Sequence, residues 1–363
     1  MGTDIRNKLE NRLAQLKSQI EKTKDGEEFY KFARGPFCQY LDDMDMLTRE
    51  MHLDEKGNLI PAYSIRLADL LKDFFTKAEN LLTSLDDGIL AKELCLIFRD
   101  FGSTYYRSQI IAHAKSKPRG YPGDFEMMNH VYNDVTISHD VVGKYFDRYH
   151  LDMGYAQAVR GRKNKMVQLL KSTMNECERP SLQILNIPCG PARDVQEFVT
   201  SRNLRKDLKV EIVCVDYDPE ALAFAKGAIK NLPINIKIDF QQGNIISYVR
   251  HPEQYLPKFG QFDLVYSIGL ADYLPDKILR KMIEFSWKLL RKGGVLIYAF
   301  KIEDRDPFAP VPPKWGCDWV FVSRSLAAVS NVISKSLLGA YTIDEPEWEE
   351  SERVVFIKIR KVM

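Results

Sequence analysis

From residue 182 onward, short apolar runs rich in β-branched residues alternate with helical stretches: LQILNI at 182–187, VEIVCV at 210–215, INIKIDF at 234–240, FDLVYSI at 262–268 and GVLIYAF at 294–300. Strands alternating with helices imply βαβ units and a parallel sheet covered on both faces. The tail adds GAYTIDEP at 339–346 and RVVFIKIRKV at 353–362, an acidic turn between two strands that reads as a hairpin closing one sheet edge. Before about residue 175 the pattern is helical, with helices or helix pairs over 65–84, 88–114, 125–149 and 154–174. The division expected is a helical lid or substrate domain over 1–150, followed by a doubly wound α/β domain over 151–363.

The length of 363 residues agrees with two domains. Basic residues number 52 against 50 acidic, a formal net charge of +2, which leaves no excess field for phosphate backbones or anionic lipid. Nucleic acid is therefore a poor default partner. Six scattered cysteines form no CxxC pair and no metal-type spacing, which suits a reduced compartment and gives no metal site. The first twenty residues carry charges throughout and lack the apolar core of a secretory signal. No stretch approaches the roughly 20 apolar residues of a membrane span, and a cytoplasmic location is expected. Ile5, Leu9, Leu13, Leu16 and Ile20 form one stripe of an amphipathic helix. That stripe either docks on its own domain or joins two copies as a homodimer.

In open α/β sheets ligands sit beyond the carboxyl ends of the strands, beside glycine-permitted turns. The first strand here runs into NIPCGPARDV, with the single glycine Gly190 where a dinucleotide fold would place three. The segment resembles the first motif of the class I S-adenosylmethionine-dependent methyltransferases. Asn186 aligns with its acidic position, Pro188 with its first glycine, Gly190 with the second and Ala192 with the third, with Cys189 between. Later landmarks keep the family's order: VDYDPEALAFAK after the second strand, QQGNI after the third, FDLVYSIGLADYLPD at the fourth and LLRKGGVLIYAF into the fifth. The resemblance spans residues 181–362. It implies a Rossmann-like, seven-stranded methyltransferase sheet with S-adenosylmethionine as cofactor and S-adenosylhomocysteine as product. Asp216 is then the expected ribose anchor, since a carboxylate at a strand end accepts both sugar hydroxyls. Tyr217 is placed against the adenine, Asn244 and Ile245 at its amino edge, and Ser267, Ile268 and Gly269 along the fourth-strand motif.

KPRGYPGDFEMMNHVY, at 117–132, also resembles the bacterial subgroup described as 3-hydroxypalmitic acid methyl ester biosynthesis proteins. Pro122 fixes φ while Gly120 and Gly123 admit conformations other residues resist, so the segment is a defined turn. The surrounding YYRSQIIAHAKSKPRGYPGD is rich in polar and aromatic side chains, which suggests a cap over the cofactor pocket. For a carboxylate acceptor, Arg107 or Arg119 would hold the anion by paired donors, without a general base. For a hydroxyl or amine, Tyr121, Asp124, His113 or Tyr273 could serve as base. Trp315, in KWGCDWVF after the proline-rich PFAPVPP, would line the pocket.

No [DNS]PP[YFW] follows the fourth strand, the pattern of enzymes that methylate amino groups of flipped bases. The expected function is thus O-methylation of a carboxyl or hydroxyl group on a small-molecule acceptor. N-methylation of a small amine or amino acid stays open, as does a non-catalytic cofactor-binding module; a nicotinamide-dependent oxidoreductase is the third alternative.

Overall fold

The computed structural model describes residues 2–20, 23–302, 311–337 and 339–362. Much of the proline-rich PFAPVPP stretch lies outside the described residues. Two compact units emerge. One comprises described residues up to 130, together with 134–153 and 311–320; the other comprises 131–133, 154–302 and 321–362. The helical unit thus ends a few residues beyond the expected 150, and a later segment returns to it.

The first unit is built from α1 (Gly2–Ile20), α2 (Lys24–Arg34), α3 (Pro36–Glu50), α4 (Pro61–Ser84), α5 (Gly88–Asp100), α6 (Gln109–Ser116), the start of α7 (Phe125–Asn133) and α8 (Val141–Asp152). Two of the four expected stretches are helix pairs. The 88–114 segment breaks at Gly102, where a Cβ would overlap the Phe98 ring. The 125–149 segment breaks at Asp134, held at a φ of 54°. Ile5, Leu9 and Leu13 of α1 are buried in the unit's own core. The apolar stripe of that helix is therefore occupied within the chain, which removes the sequence argument for a homodimer through it.

The second unit opens with α9 (Gly154–Glu176), then alternates β1 (Ser181–Asn186), α10 (Arg193–Val199), β2 (Lys209–Asp216), α11 (Pro219–Ala228), β3 (Ile236–Gln242), α12 (Ile245–Arg250), α13 (Pro252–Tyr255), β4 (Phe262–Ser267), α14 (Asp276–Leu289) and β5 (Leu290–Lys301). After α15 (Val311–Cys317), which lies in the first unit, come α16 (Leu326–Ser334), β6 (Tyr341–Ile343), β7 (Glu347–Trp348) and β8 (Val354–Lys361). The strand order is β3-β2-β1-β4-β5-β8-β6, with β7 pairing β8. Strands β1 to β5 run parallel; β8 pairs antiparallel with β5 and, along its other edge, with β6. Among the described residues eight strands stand where seven were expected, the addition being two residues long.

Side-chain alternation along the strands feeds two cores. Leu182 and Ile184 of β1 pack with Met166 and Leu170 of α9 and Phe198 of α10, while Leu185 and Ile187 pack with the α14 and α16 face. Because β1 is flanked by β2 on one side and β4 on the other, the chain reverses its winding direction there, leaving a crevice at the carboxyl ends.

Trp315 of α15 belongs to the helical core. It is fully buried, with ring centroids of Phe98, Phe75 and Phe74 at 5.6, 6.2 and 6.4 Å. The expectation that it lines a pocket is corrected accordingly: enclosure by aromatic rings leaves no face for a ligand. Trp315→Ala should lower the unfolding free energy by about 3–5 kcal/mol in urea titrations; a loss below about 1 kcal/mol would place the ring outside the core.

Candidate active site

The crevice is organised by one carboxylate. Asp216 closes β2 and is 7% exposed. Its Oδ2 accepts the Gly190 N–H at 2.7 Å and its Oδ1 accepts the Asp218 N–H at 3.0 Å. The Cys189 N–H donates to the Val215 carbonyl at 2.8 Å. The loop after β1 is thereby tied to the end of β2. Gly190 sits at a φ of 51°, the left-handed region, and a Cβ there would meet no heavy atom within 4 Å. Glycine is needed for conformation, and open space lies in front of it. The neighbouring Ile187–Pro188 peptide is cis. Burial raises the Asp216 pKa, and the two backbone donors pull it back. Each oxygen retains a further lone pair for a sugar hydroxyl.

Around this tie stand the other expected cofactor residues. Asn186 ends β1, 1% exposed, and Ser267 ends β4, also 1% exposed. Asn186 Oδ1 and Ser267 Oγ are buried without a hydrogen-bond partner. Such atoms cost roughly 1–3 kcal/mol each when left unsatisfied, so their presence at the crevice argues for a polar ligand. Pro188 is half-buried and Cys189 buried on the loop, and Ile268 is buried beyond β4. Tyr217 is 67% exposed at the exit of β2, leaving its ring available to a planar base. Asn244 caps α12, its Oδ1 accepting the Ile246 N–H at 2.9 Å; its amide nitrogen is the part left for a base edge, with half-buried Ile245 beside it. The donor set fits adenosine: a buried carboxylate for the ribose, a glycine for close approach and a capped amide farther along the sheet.

Beyond β4 and β5 the side chains become aromatic and charged. Tyr273 stacks near Phe321 at 5.3 Å between centroids, Phe321 lies 4.7 Å from Tyr155, and the Lys301 ammonium sits 4.3 Å from the Tyr155 centroid. Asp272 is buried, its Oδ1 accepting the Lys301 N–H at 3.0 Å. Asp194 is buried against the Tyr266 hydroxyl, which donates to it at 2.6 Å. Arg162 of α9 is 8% exposed. None of Tyr155, Arg162, Asp194 or Lys301 stood out in the sequence. Arg162 sits within GRKNK, where tertiary packing turns both it and Lys163 inward.

In the helical unit, GYPGD resolves into a capped helix start. Gly120 has a φ of 84°, and Asp124 is the N-cap of α7, its Oδ1 accepting the Met127 N–H at 2.9 Å. The same carboxylate, fully buried, accepts from His113 Nε2 at 2.9 Å and from Arg119 at 3.4 Å. With this many donors and no exposure, Asp124 positions its neighbours and cannot itself touch an acceptor. That corrects the expectation of a catalytic Asp124. His113 and Arg119 are half-buried beside it, Arg119 also reaching Glu126 at 3.1 Å and covering the Phe125 ring at 4.4 Å. Tyr121 is 42% exposed, and Arg107 is exposed.

Residues 184–294 match a family whose description is Methyltransferase domain. The matched segment runs from β1 into β5. No curated protein matches the chain in sequence. Among solved structures, the chain is similar to a possible exported protein from Bordetella parapertussis, at 15% identity over 94% of this chain and 98% of that one, TM-score 0.49. It is similar to the N-methyltransferase NodS from Bradyrhizobium japonicum WM9, at 15% identity over 56% and 97%, TM-score 0.36. A third likeness is to magnesium protoporphyrin IX methyltransferase (ChlM) from Synechocystis PCC 6803, at 12% identity over 69% and 98%, TM-score 0.46.

Asp216→Ala should weaken S-adenosylhomocysteine binding roughly 10- to 100-fold by calorimetry, the value of hydrogen bonds to a charged acceptor. Gly190→Ala should cost about 1–2 kcal/mol of stability from its left-handed backbone. A third outcome concerns pH. Burial raises the Asp194 pKa above 3.8, so its contribution to stability is full below that value and is lost as pH rises through the folded pKa. Thermal melts of Asp194→Asn should therefore gain on the wild type between pH 4 and pH 7; parallel curves would count against this assignment.

Proposed function

We propose that the chain is an active methyltransferase whose acceptor is a small molecule, methylated at a carboxyl or hydroxyl oxygen. The observation that carries the reading is the Gly190–Asp216 tie at the sheet's reversal point, with the orphaned Asn186 and Ser267 atoms around it. When bound, the sulfonium supplies an activated methyl group that needs neither metal nor covalent intermediate. The protein's share is binding, alignment and exclusion of water. Asp216 anchors the sugar and the Gly190 turn admits the cofactor backbone. The half-buried aromatic side chains Tyr155, Tyr273 and Phe321 line the chain beyond β4 and β5.

Acceptor recognition is assigned to the polar group of the helical unit. Arg119 offers paired donors to a carboxylate, with Arg107 as the second cation. For a hydroxyl acceptor, His113 is the candidate base. Its Nε2–H donates to Asp124, which leaves Nδ1 as the atom able to take a proton. Tyr121 stands exposed at the same turn. The likeness of the 117–132 segment to 3-hydroxypalmitic acid methyl ester biosynthesis proteins belongs to this reading and favours a fatty-acid-like carboxylate.

Incubating the protein with methyl-labelled S-adenosylmethionine and panels of carboxylic acids, hydroxy acids and amines should put label into esters or ethers. Label confined to amines would overturn the oxygen acceptor, and a wild type that binds no cofactor would overturn the enzyme. Arg119→Ala should raise KM for a carboxylate acceptor at least roughly tenfold, the worth of one charge-assisted hydrogen bond, with cofactor affinity unchanged.

A further inference from the structure

The strand order of the second unit ends at β6 on one side, three residues long, and at β3 on the other, seven residues long. β3 is bonded to β2 alone. A sheet edge of this kind presents a row of N–H and C=O groups to any strand that fits it. Which groups face outward follows from the register. The Asn235 carbonyl accepts from Val210 and the Gly243 N–H donates to Asp216, both at 2.8 Å, so the odd-numbered residues turn their backbone toward β2. The backbone groups of Ile236, Ile238, Phe240 and Gln242 therefore point away from the sheet. Ile236 engages its N–H with the Pro233 carbonyl at 2.9 Å; among the described residues the outward groups of Ile238 and Phe240 have no such backbone partner.

The side chains say what the edge fits. Ile236, Ile238 and Phe240 pack on the sheet's own core, which leaves Lys237 and Asp239 on the opposite face, both exposed. Asp239 accepts from the Gln241 amide at 2.7 Å, and Lys237 stands beside Glu211 of β2, which Lys209 already holds at 2.6 Å. Assemblies of identical chains are most often two-fold, with one patch meeting itself. In an antiparallel ladder outward-pointing residues must face outward-pointing ones, so the axis falls on a residue and not between two. Centred on Lys237 it sets lysine against lysine, and centred on Asp239 it sets aspartate against aspartate; like charges directly opposite are destabilising. Centred on Ile238 it sets Lys237 against Asp239 of the second copy on both sides of the axis. That register also bonds the outward groups of Ile238 to their own counterparts and lets Phe240 donate to the Ile236 carbonyl. It brings Ile234, a fully exposed apolar residue in the turn entering β3, opposite Gln242 of the second copy.

We infer that β3 joins two copies of this chain edge to edge, antiparallel and centred on Ile238, with Lys237 facing Asp239 across the interface. The change of sign within two residues makes the strand complementary to itself. Exposed ion pairs contribute little affinity singly; here they select the register, while ladder bonds and apolar cover hold the copies together.

Sedimentation equilibrium of the full chain at about 100 µM, above the micromolar dissociation constants of modest interfaces, should give twice the mass of one chain. Lys237→Asp and Asp239→Lys each put like charges opposite one another on both sides of the axis, and each should weaken the dimer at least roughly tenfold. Combining the two restores opposite signs and should return the dissociation constant to within about threefold of the wild type. Ile238→Pro removes an outward donor that an edge strand can spare and should give a monomer. Far-UV circular dichroism checks that each variant keeps the fold, which exposed charges at an edge should not disturb. A wild type that stays monomeric would leave the edge to a foreign strand and overturn the assignment. So would a dimer that both single charge reversals leave intact, which moves the contact elsewhere, or one that the combined exchange fails to recover. Cofactor binding does not enter these measurements, so the methyltransferase reading stands or falls separately.

Discussion

The second unit turns on a buried carboxylate that spends its hydrogen bonds on backbone. Asp216 could be neutralised by a cation, as buried acids usually are, but it instead accepts from Gly190 and Asp218. The arrangement is costly to bury and therefore holds its shape. It fixes the loop after β1 against the end of β2 and leaves both oxygens with spare acceptor capacity. A glycine at left-handed φ completes the turn, because a side chain there would meet backbone strain and project into the space a ligand needs.

The same economy recurs in the helical unit with the opposite emphasis. Asp124 caps α7 and gathers His113 and Arg119, so one acid serves secondary structure and side-chain placement together. An N-cap contributes about 1 kcal/mol to a helix, and here the cap also lies in hydrogen-bond contact with the His113 imidazole. The polar residues around GYPGD thus form one hydrogen-bonded group, anchored on the helix start, with Tyr121 standing exposed at its edge.

Much of this was legible in the chain. The apolar runs announced parallel strands, most continuously at β4, which is buried along its whole length, while β3 at the sheet edge alternates with polar residues. Gly190, Asp216 and Asn244 were legible because strand-end turns demand particular residue types. Trp315 and Asp124 were not. A tryptophan in a loop-like stretch and an aspartate behind a turn have several plausible fates, and the choice between ligand contact, core packing and capping depends on neighbours distant in sequence: Phe74, Phe75 and Phe98 for the one, His113 for the other. The extra two-residue strand β7 escaped notice because so short a segment carries no periodicity.

Local pattern alone determined most of the elements, their order and the glycine turn that closes onto the end of β2, since each follows from side-chain period, β-branching and turn chemistry within a few residues. Tertiary structure decided which charges are buried. Arg162 and Lys163 stand among lysines and arginines on α9 that look alike in sequence, yet both are buried, Lys163 against Glu197 and Arg162 near Gly269. Burial is a property of what folds over a residue, and that information is spread across α9, β1 and β4 rather than written at any one of them.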